Sequence, residues 1–168
     1  AIEVATQKID SFEKKYEEKW MKMMKNKLGI INSEKGDKSI ILDLLTWMHQ
    51  KKADYTNTFC NLMDLGPKKE VIYNDVDFVN WKKRWKERVL KNENTRKKSF
   101  KLMRKNNPLV IPRNHMVEEA LTLAEEGNLE LLNNFLDVLK DPYNEHQNIS
   151  NFQSLSDSNK KYETFCGT

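Results

Sequence analysis

The chain has 168 residues, 32% of them charged and 38% hydrophobic, with a net charge of +4, which suits one ordinary domain with its own core. Two cysteines are too few for a disulfide scaffold and indicate a reducing compartment, so we predict a cytoplasmic location. No apolar run approaches the roughly 18 residues of a membrane span and no signal peptide is present, so no membrane partner is expected. Only five glycines and four prolines favour long helices over many short strands.

The first predicted element, within residues 1–31, is an amphipathic helix from Ile2 to about Leu28 that Gly29 ends. Apolar residues recur along it at steps of three and four, so they share one stripe. We expect this stripe to be core or, if the chain is a piece of a longer protein, a docking surface for the missing part. The stripe consists of Ile9, Phe12, Tyr16, Trp20, Met23, Met24 and Leu28.

Central helices are predicted between residues 37 and 105. Asp37 is expected to cap a helix that runs to about Gln50, because a carboxylate can accept the free N–H groups of a first turn. Asp54 is expected to cap the following helix, which Gly66-Pro67 ends.

Two further helical segments complete this region. One begins at Asp75 or Asp77, and the other covers Thr95–Arg104. The residues expected to face inward are Phe78, Val79, Trp81, Trp85, Val89, Leu90, Phe100, Leu102 and Met103.

The stretch Trp81–Arg88 interleaves aromatic and cationic residues and has two interpretations. It could form a nucleic-acid face, where Trp stacks on bases and Lys or Arg neutralises phosphates. It could instead be an amphipathic helix with both tryptophans in the core. The second interpretation is favoured, because Trp81 and Trp85 share a helical stripe with Phe78 and Val89. Nucleic acid is therefore an unfavoured partner.

Residues 106–143 are predicted to form a link followed by a helical hairpin. Pro108 and Pro112 stiffen an extended connection, and Asn114 is expected to cap the next helix. Arg113 is expected to pair with a carboxylate of another helix or of a missing domain.

The hairpin is expected to turn at Gly127-Asn128 and to end at Asp141-Pro142. Residues 144–168 form a polar tail with few apolar residues, mainly Phe152, Tyr162 and Phe165. The inward stripes of the hairpin are Val117, Ala120, Leu121 and Ala124 on one helix and Leu129, Leu132, Phe135, Leu136 and Leu139 on the other.

No equipment for phosphate or metal chemistry is found in the sequence. The three histidines are far apart, and neither an HExxH motif nor paired CxxC motifs are present. Glycine-rich phosphate loops and a GxSxG elbow are also absent. Cys60 falls on an apolar helix face and is expected to be a core residue. We therefore assign no catalytic, cofactor-binding or metal-ligating residue to this chain.

An ordered set of motifs resembles the selenoprotein O family of kinase-like protein adenylyltransferases, and it covers most of residues 37–168. Each motif keeps its order and a compatible spacing. The motifs are Asp54-Tyr55-Thr56-Asn57-Thr58-Phe59, the run from Asn106-Asn107-Pro108 to Arg113-Asn114-His115 with the helix that follows, Ala124-Glu125-Glu126-Gly127-Asn128, Asp141-Pro142-Tyr143 and the ending Tyr162-Glu163-Thr164-Phe165-Cys166-Gly167-Thr168.

The resemblance implies that the full-length protein transfers AMP from ATP to Ser, Thr or Tyr of target proteins with a divalent metal, Mg or Mn. It implies that the nucleotide and metal sites lie in a kinase-like domain N-terminal to this chain. That domain would be the direct partner of these helices, and protein substrates would be reached through it.

The resemblance also implies one site in this chain. Cys166 occupies the position where some relatives hold a redox-active Cys or selenocysteine, and the alternative is an unused terminal cysteine. Lys160 and Lys161 would lower its pKa slightly if they faced it.

We therefore predict an all-α, compact bundle of six or seven helices with a polar tail, acting as the non-catalytic C-terminal scaffold of a protein adenylyltransferase. The alternatives are an independent helical interaction module and a nucleic-acid-binding helical domain.

Overall fold

The structure is a computed structural model that describes residues 2–67, 70–90, 93–147 and 149–156. Within these ranges the chain is helical and has no strand, which confirms the all-α prediction. No helix in these ranges combines the length and the apolar character needed to cross a membrane. The elements are α1 (Ile2–Lys27), α2 (Asp37–Lys51), α3 (Tyr55–Leu62), a 3₁₀ helix (Val71–Asn74), α4 (Val76–Val89), α5 (Glu93–Asn106), α6 (Asn114–Glu125), α7 (Glu130–Lys140) and α8 (Ile149–Phe152).

The chain divides into two compact units, Ala1–Pro108 and Leu109–Thr168. The first unit contains α1 to α5, and the second contains α6 to α8. The 3₁₀ helix and the four-residue α8 are the elements that the sequence did not predict.

An aromatic row lies at the centre of the first unit. Trp47 and Phe78 pack with ring centroids 4.5 Å apart, and Phe78, Trp81 and Trp85 follow along α4 at centroid separations of 5.8 and 6.1 Å. Each buried indole N–H has an acceptor, which removes the cost of desolvating it. Trp81 donates to the carbonyl oxygen of Ile40 at 2.8 Å, and Trp85 donates to that of Leu28 at 2.9 Å.

Two of the three predicted aspartate caps are confirmed. Asp54 accepts the N–H of Asn57, and Asp75 accepts those of Asp77 and Phe78. The prediction that Asp37 caps α2 is wrong. Gly36, at φ 103°, occupies the cap position of α2, and Asp37 is the first residue of the helix.

Gly29 ends α1 and also permits a close approach to α5. Its φ of +69° is left-handed, and a Cβ there would lie 2.9 Å from the carbonyl oxygen of Ser99 and 3.0 Å from Cγ of Met103. A larger residue would therefore be strained and would also push the end of α1 away from α5.

Several inward predictions in the first unit are wrong, because the apolar stripes are narrower than the sequence suggested. Val79 and Phe100 are exposed. Each lies at the edge of a stripe whose central residues, such as Phe78 and Met103, are buried.

The second unit has a small core of its own, in which Phe135 and Phe152 stack with centroids 5.3 Å apart. Gln153 is buried and donates its amide to the carbonyl oxygen of Leu109 at 3.0 Å. The predicted turn is confirmed, with Gly127 at φ +90°, and α7 ends before Asp141-Pro142. The buried core residues are Val110, Met116, Phe135, Val138 and Phe152.

The predicted stripes of the hairpin are partly wrong. Leu121, Leu129 and Leu136 are exposed, whereas Val138, which was not predicted, is buried. The large apolar residues outnumber the positions that this small core can cover. Tyr162 and Phe165 lie outside the described residues.

Candidate docking surface

The part of α1 that contains Phe12 and Tyr16 is exposed to solvent in the structure. Every side chain from Phe12 to Lys19 is exposed, including the aromatic ones. Ile9, Phe12 and Tyr16 retain 72%, 67% and 61% of their surface. The expectation that this part of the stripe belongs to the core is therefore wrong, and the alternative, a docking surface for a missing part of the protein, stays a prediction. We call Ile9, Phe12 and Tyr16 the α1 face.

The α1 face has the chemistry of a docking surface. Phe12 and Tyr16 stack with their rings 6.1 Å apart and 25° from parallel, so they present one continuous aromatic surface. Aromatic side chains are the commonest anchors of protein interfaces, because they bury a large area at a low cost in side-chain entropy. Negatively charged Glu and positively charged Lys residues line the opposite side of the helix. This distribution is typical of an amphipathic helix that binds in a groove through one face.

The other end of α1 is fastened by the Asn106-Asn107-Pro108 link. Asn107 is buried and donates its amide to the carbonyl oxygens of Lys27 and Met103, at 2.8 and 3.0 Å. The ammonium of Lys27 donates in turn to the carbonyl oxygen of Asn106 at 3.1 Å and to Oδ1 of Asn107 at 3.2 Å. These bonds join the last turn of α1 to the end of α5.

Lys27 is held among aromatic rings rather than beside a carboxylate. Its Nζ lies 4.9 Å from the centre of the Phe59 ring and 5.3 Å from that of Tyr55. Burial lowers the pKa of Lys27, because the ammonium is partly removed from water. The rings and the oxygens of the link offset that cost. No local sequence pattern predicts this contact, because its partners are about 80 residues apart.

A charged cluster fastens the loop between α1 and α2 to α4. Arg88 grips the buried carboxylate of Asp37 with two nitrogens, at 2.8 and 3.3 Å, and also contacts Glu34 at 3.3 Å. Lys25 lies 3.5 Å from the same carboxylate. Burial alone would raise the pKa of Asp37, but the N–H of Glu34 and the cations Arg88 and Lys25 lower it below its ordinary value.

The stretch Trp81–Arg88 does not present its tryptophans to solvent. Trp81 and Trp85 each keep 3% of their surface, and their flat faces pack on neighbouring rings. Neither indole is available to stack on a base, so the core interpretation of these two residues is confirmed.

Two of the predicted site residues, Arg113 and Asn114, lie at the start of α6. Asn114 is the first residue of α6 and makes no capping bond. The cap of α6 is Arg113, whose extended backbone places its carbonyl oxygen 3.0 Å from the N–H groups of Met116 and Val117. The expected capping by Asn114 is therefore wrong by one residue. The ion pair expected of the Arg113 side chain stays a prediction.

The cysteines and Pro108 complete the predicted set. Cys60 is fully buried and its Sγ lies 3.6 Å from the carbonyl oxygen of Pro108, as expected of a core thiol. Pro108 thereby contributes a backbone acceptor, beside its expected role in stiffening the link. Cys166 lies outside the described residues, so its redox role stays a prediction.

The described residues contain no group of three or more His, Cys, Asp or Glu that could hold a metal ion. A polar depression of about 460 Å³ lies beside Asn61, Asp64, Glu70 and Tyr73. Burial raises the pKa of Tyr73, so its hydroxyl remains protonated. Glu70 is engaged by the amide of Asn57 at 2.9 Å.

The geometry defines an all-α chain with an uncovered apolar helix face. The family model described as "Protein adenylyltransferase SelO" matches residues 1–140, so the chain belongs to the SelO family, and the resemblance found in the sequence is confirmed.

Relatives of similar sequence carry the name "Protein nucleotidyltransferase YdiU". The protein of that name from Pelagibacter ubique is 47% identical to this chain, and those from Alcanivorax borkumensis and Clostridium botulinum are 43% and 42% identical. Each similarity extends over 100% of this chain but over only 35% of the relative.

Proposed function

We propose that this chain is the C-terminal helical scaffold of a protein adenylyltransferase, and that a kinase-like part of the same polypeptide, N-terminal to these helices, performs the catalysis. That part would transfer AMP from ATP to hydroxyl side chains of target proteins. The helices described here would hold it in place and would perform no chemistry themselves.

The α1 face is the observation that carries the proposal. A monomeric protein rarely exposes a run of large apolar side chains, because covering them releases roughly 25 cal/mol for each Å² removed from water. The relatives are almost three times as long as this chain, so they contain polypeptide that could cover such a face. A scaffold that packs on a neighbouring domain requires an open face of this kind, whereas an independent interaction module does not.

The described residues do not fit ATP or its metal. They offer no carboxylate cluster for Mg or Mn, and the sequence has no glycine-rich loop for phosphates. We therefore derive no catalytic step in this chain and assign the nucleotide and metal ligands to the preceding part.

The experiment that tests the proposal changes the α1 face in the full-length protein. Phe12→Lys combined with Tyr16→Lys replaces two apolar anchors by cations, and we expect it to reduce AMP incorporation from labelled ATP into protein by about tenfold or more, because the catalytic part loses its support. Glu18→Lys is the matched control, because it makes the same change of two charges on the opposite face of α1.

The 168-residue chain on its own supplies the second arm of this experiment. Calorimetry is expected to detect no binding of ATP to it. Micromolar binding, or AMP transfer by the isolated chain, would contradict the proposal. If the double variant were as active as Glu18→Lys, the proposed role of the α1 face would be contradicted.

A further inference from the structure

Positive charge is concentrated in one segment of the chain. Residues 94–117 contain seven Lys and Arg and no Asp or Glu, whereas the whole chain has a net charge of only +4. The rest of the chain is therefore net negative by three. Most of the basic segment is α5, so a single helix carries the strongest local positive potential that the sequence encodes.

Between residues 94 and 106 of α5, most of the exposed side chains are cationic. The buried side of the helix is formed by Ser99 and Met103. Apart from Asn94, the exposed residues are five cations and one aromatic ring, and we call these six the cationic face. The cationic face consists of Arg96, Lys97, Lys98, Phe100, Lys101 and Lys105.

The cationic face is not an ordinary solvated surface. Lys98, Lys101 and Lys105 are three or four residues apart, so like charges are adjacent on the helix and oppose its formation by a few tenths of a kcal/mol per pair. They form no ion pair with any carboxylate in the part of the chain that the structure describes. On α1, by contrast, Lys15, Lys19 and Lys22 are interleaved with Glu17 and Glu18.

We propose that the cationic face of α5 binds an acidic segment of a partner protein, with Phe100 packing against an apolar side chain of that segment. The face extends roughly 14 Å along the helix, which matches a short peptide better than the longer basic track that nucleic acids require. Phe100, 45% exposed and flanked along the helix by Lys97 and Arg96, supplies the apolar anchor that a purely electrostatic contact lacks. This inference does not depend on the proposed scaffold role, because it concerns a different helix.

The test uses the 168-residue chain and a fluorescent Glu-rich peptide with a central Leu, followed by anisotropy at low salt and at about 0.15 M salt. We expect binding that weakens as salt rises. Changing Lys98, Lys101 and Lys105 together to Glu should weaken it by about tenfold or more, because the local potential reverses sign. Phe100→Ala should also weaken it but should leave its salt dependence unchanged.

The matched control changes Lys15, Lys19 and Lys22 to Glu, which alters the net charge by the same six units on an exposed helix. We expect it to bind the peptide within about threefold of the wild type. Equal weakening in both triple variants would overturn the proposal, because net charge alone would then explain binding. Circular dichroism verifies that each variant is folded. If the α5 triple-Glu variant unfolds, a variant with Gln at the same three positions replaces it in the binding assay.

Two other outcomes would also overturn it. The first is no binding of the peptide by the wild-type chain at low salt. The second is tighter binding of a single-stranded oligonucleotide of equal charge, lost in the α5 variant, which would assign the cationic face to nucleic acid instead.

Discussion

The α1 face and the helix α4 have similar sequence patterns and opposite environments. Both place large apolar residues at steps of three and four, with mostly polar and charged residues on the remaining positions. On α4, Phe78, Trp81 and Trp85 keep 3% of their surface or less, whereas Phe12 and Tyr16 on α1 keep more than 60%. The periodicity of a helix thus predicts which face is apolar, but it does not predict what covers that face.

The contacts around the two helices explain the difference. α4 packs against α2, α5 and the 3₁₀ helix, and its indoles donate to backbone carbonyls. α1 packs against α2 and α5 near its C-terminal end, where Met24 and Leu28 are buried. Nothing in the described residues covers Phe12 or Tyr16. Under the proposed scaffold role, another domain would cover that face.

The largest effect expected from this comparison is that of Trp85→Ala. The substitution leaves a large cavity in the aromatic row and removes the hydrogen bond that the indole N–H donates to the carbonyl oxygen of Leu28, so we expect the free energy of unfolding to fall by about 3–5 kcal/mol. Urea unfolding followed by circular dichroism measures it. Lys83→Ala, on the exposed side of the same helix, is the control and should stay within about 0.5 kcal/mol of the wild type. A small effect of Trp85→Ala would show that α4 is not the core helix described here.

Local signals predicted most of the helices, because they act within a few residues. Asp54 and Asp75 cap helices as expected, and Gly127 makes the turn of the hairpin. The failures arise where a distant partner decides. Asp37 has the sequence of a cap, but Arg88, 51 residues away, takes its carboxylate. The 3₁₀ helix at Val71–Asn74 was also missed, since four residues carry no clear period.

The second prediction concerns the ion pair that ties α4 to the loop after α1. Asp37→Asn keeps the size of the side chain but removes the negative charge that pairs with Arg88. We therefore expect a loss of about 2 kcal/mol in the free energy of unfolding. The same urea titration measures it. Asp43→Asn is the control, because Asp43 pairs with Arg84 at the surface and should contribute less than about 1 kcal/mol.

The pH dependence provides a separate check of that pair. A carboxylate whose pKa is lowered by folding stabilises the protein above its unfolded pKa, and this contribution is lost as the pH falls through the folded pKa. The wild type should therefore lose stability as the pH falls below about 4, in part through Asp37 and in part through Asp75. The hydrogen bonds from Lys51 and Trp47 lower the pKa of Asp75 to about 2. Asp37→Asn should show a smaller acid loss, and an unchanged loss would contradict the assignment.

The candidate docking surface was predictable only in part. The α1 stripe and its alternative role as a docking surface were visible from the spacing of Ile9, Phe12 and Tyr16. The hydrogen bonds between Lys27 and Asn107 could not be predicted, because neither residue type indicates a partner about 80 residues away. The cations of α5 were visible as a run of charge, but only their common exposure shows that they form one face.

The smallest expected effect is that of Phe12→Ala in the isolated chain. The substitution removes only the stacking of Phe12 on Tyr16, and such a pair stabilises a helix by about 0.2–0.5 kcal/mol. Ala has a higher helix propensity than Phe, which offsets a similar amount. The free energy of unfolding should therefore change by less than about 0.5 kcal/mol.

Thermal unfolding at two protein concentrations shows whether a second copy, the chain itself or a neighbouring domain covers the α1 face. A larger loss at the higher concentration only would show that a second copy covers the α1 face, and a loss at both concentrations would show that the chain covers it itself. An unchanged unfolding free energy here, together with lost activity of Phe12→Lys with Tyr16→Lys in the full-length protein, would assign the energy of this face to the neighbouring domain.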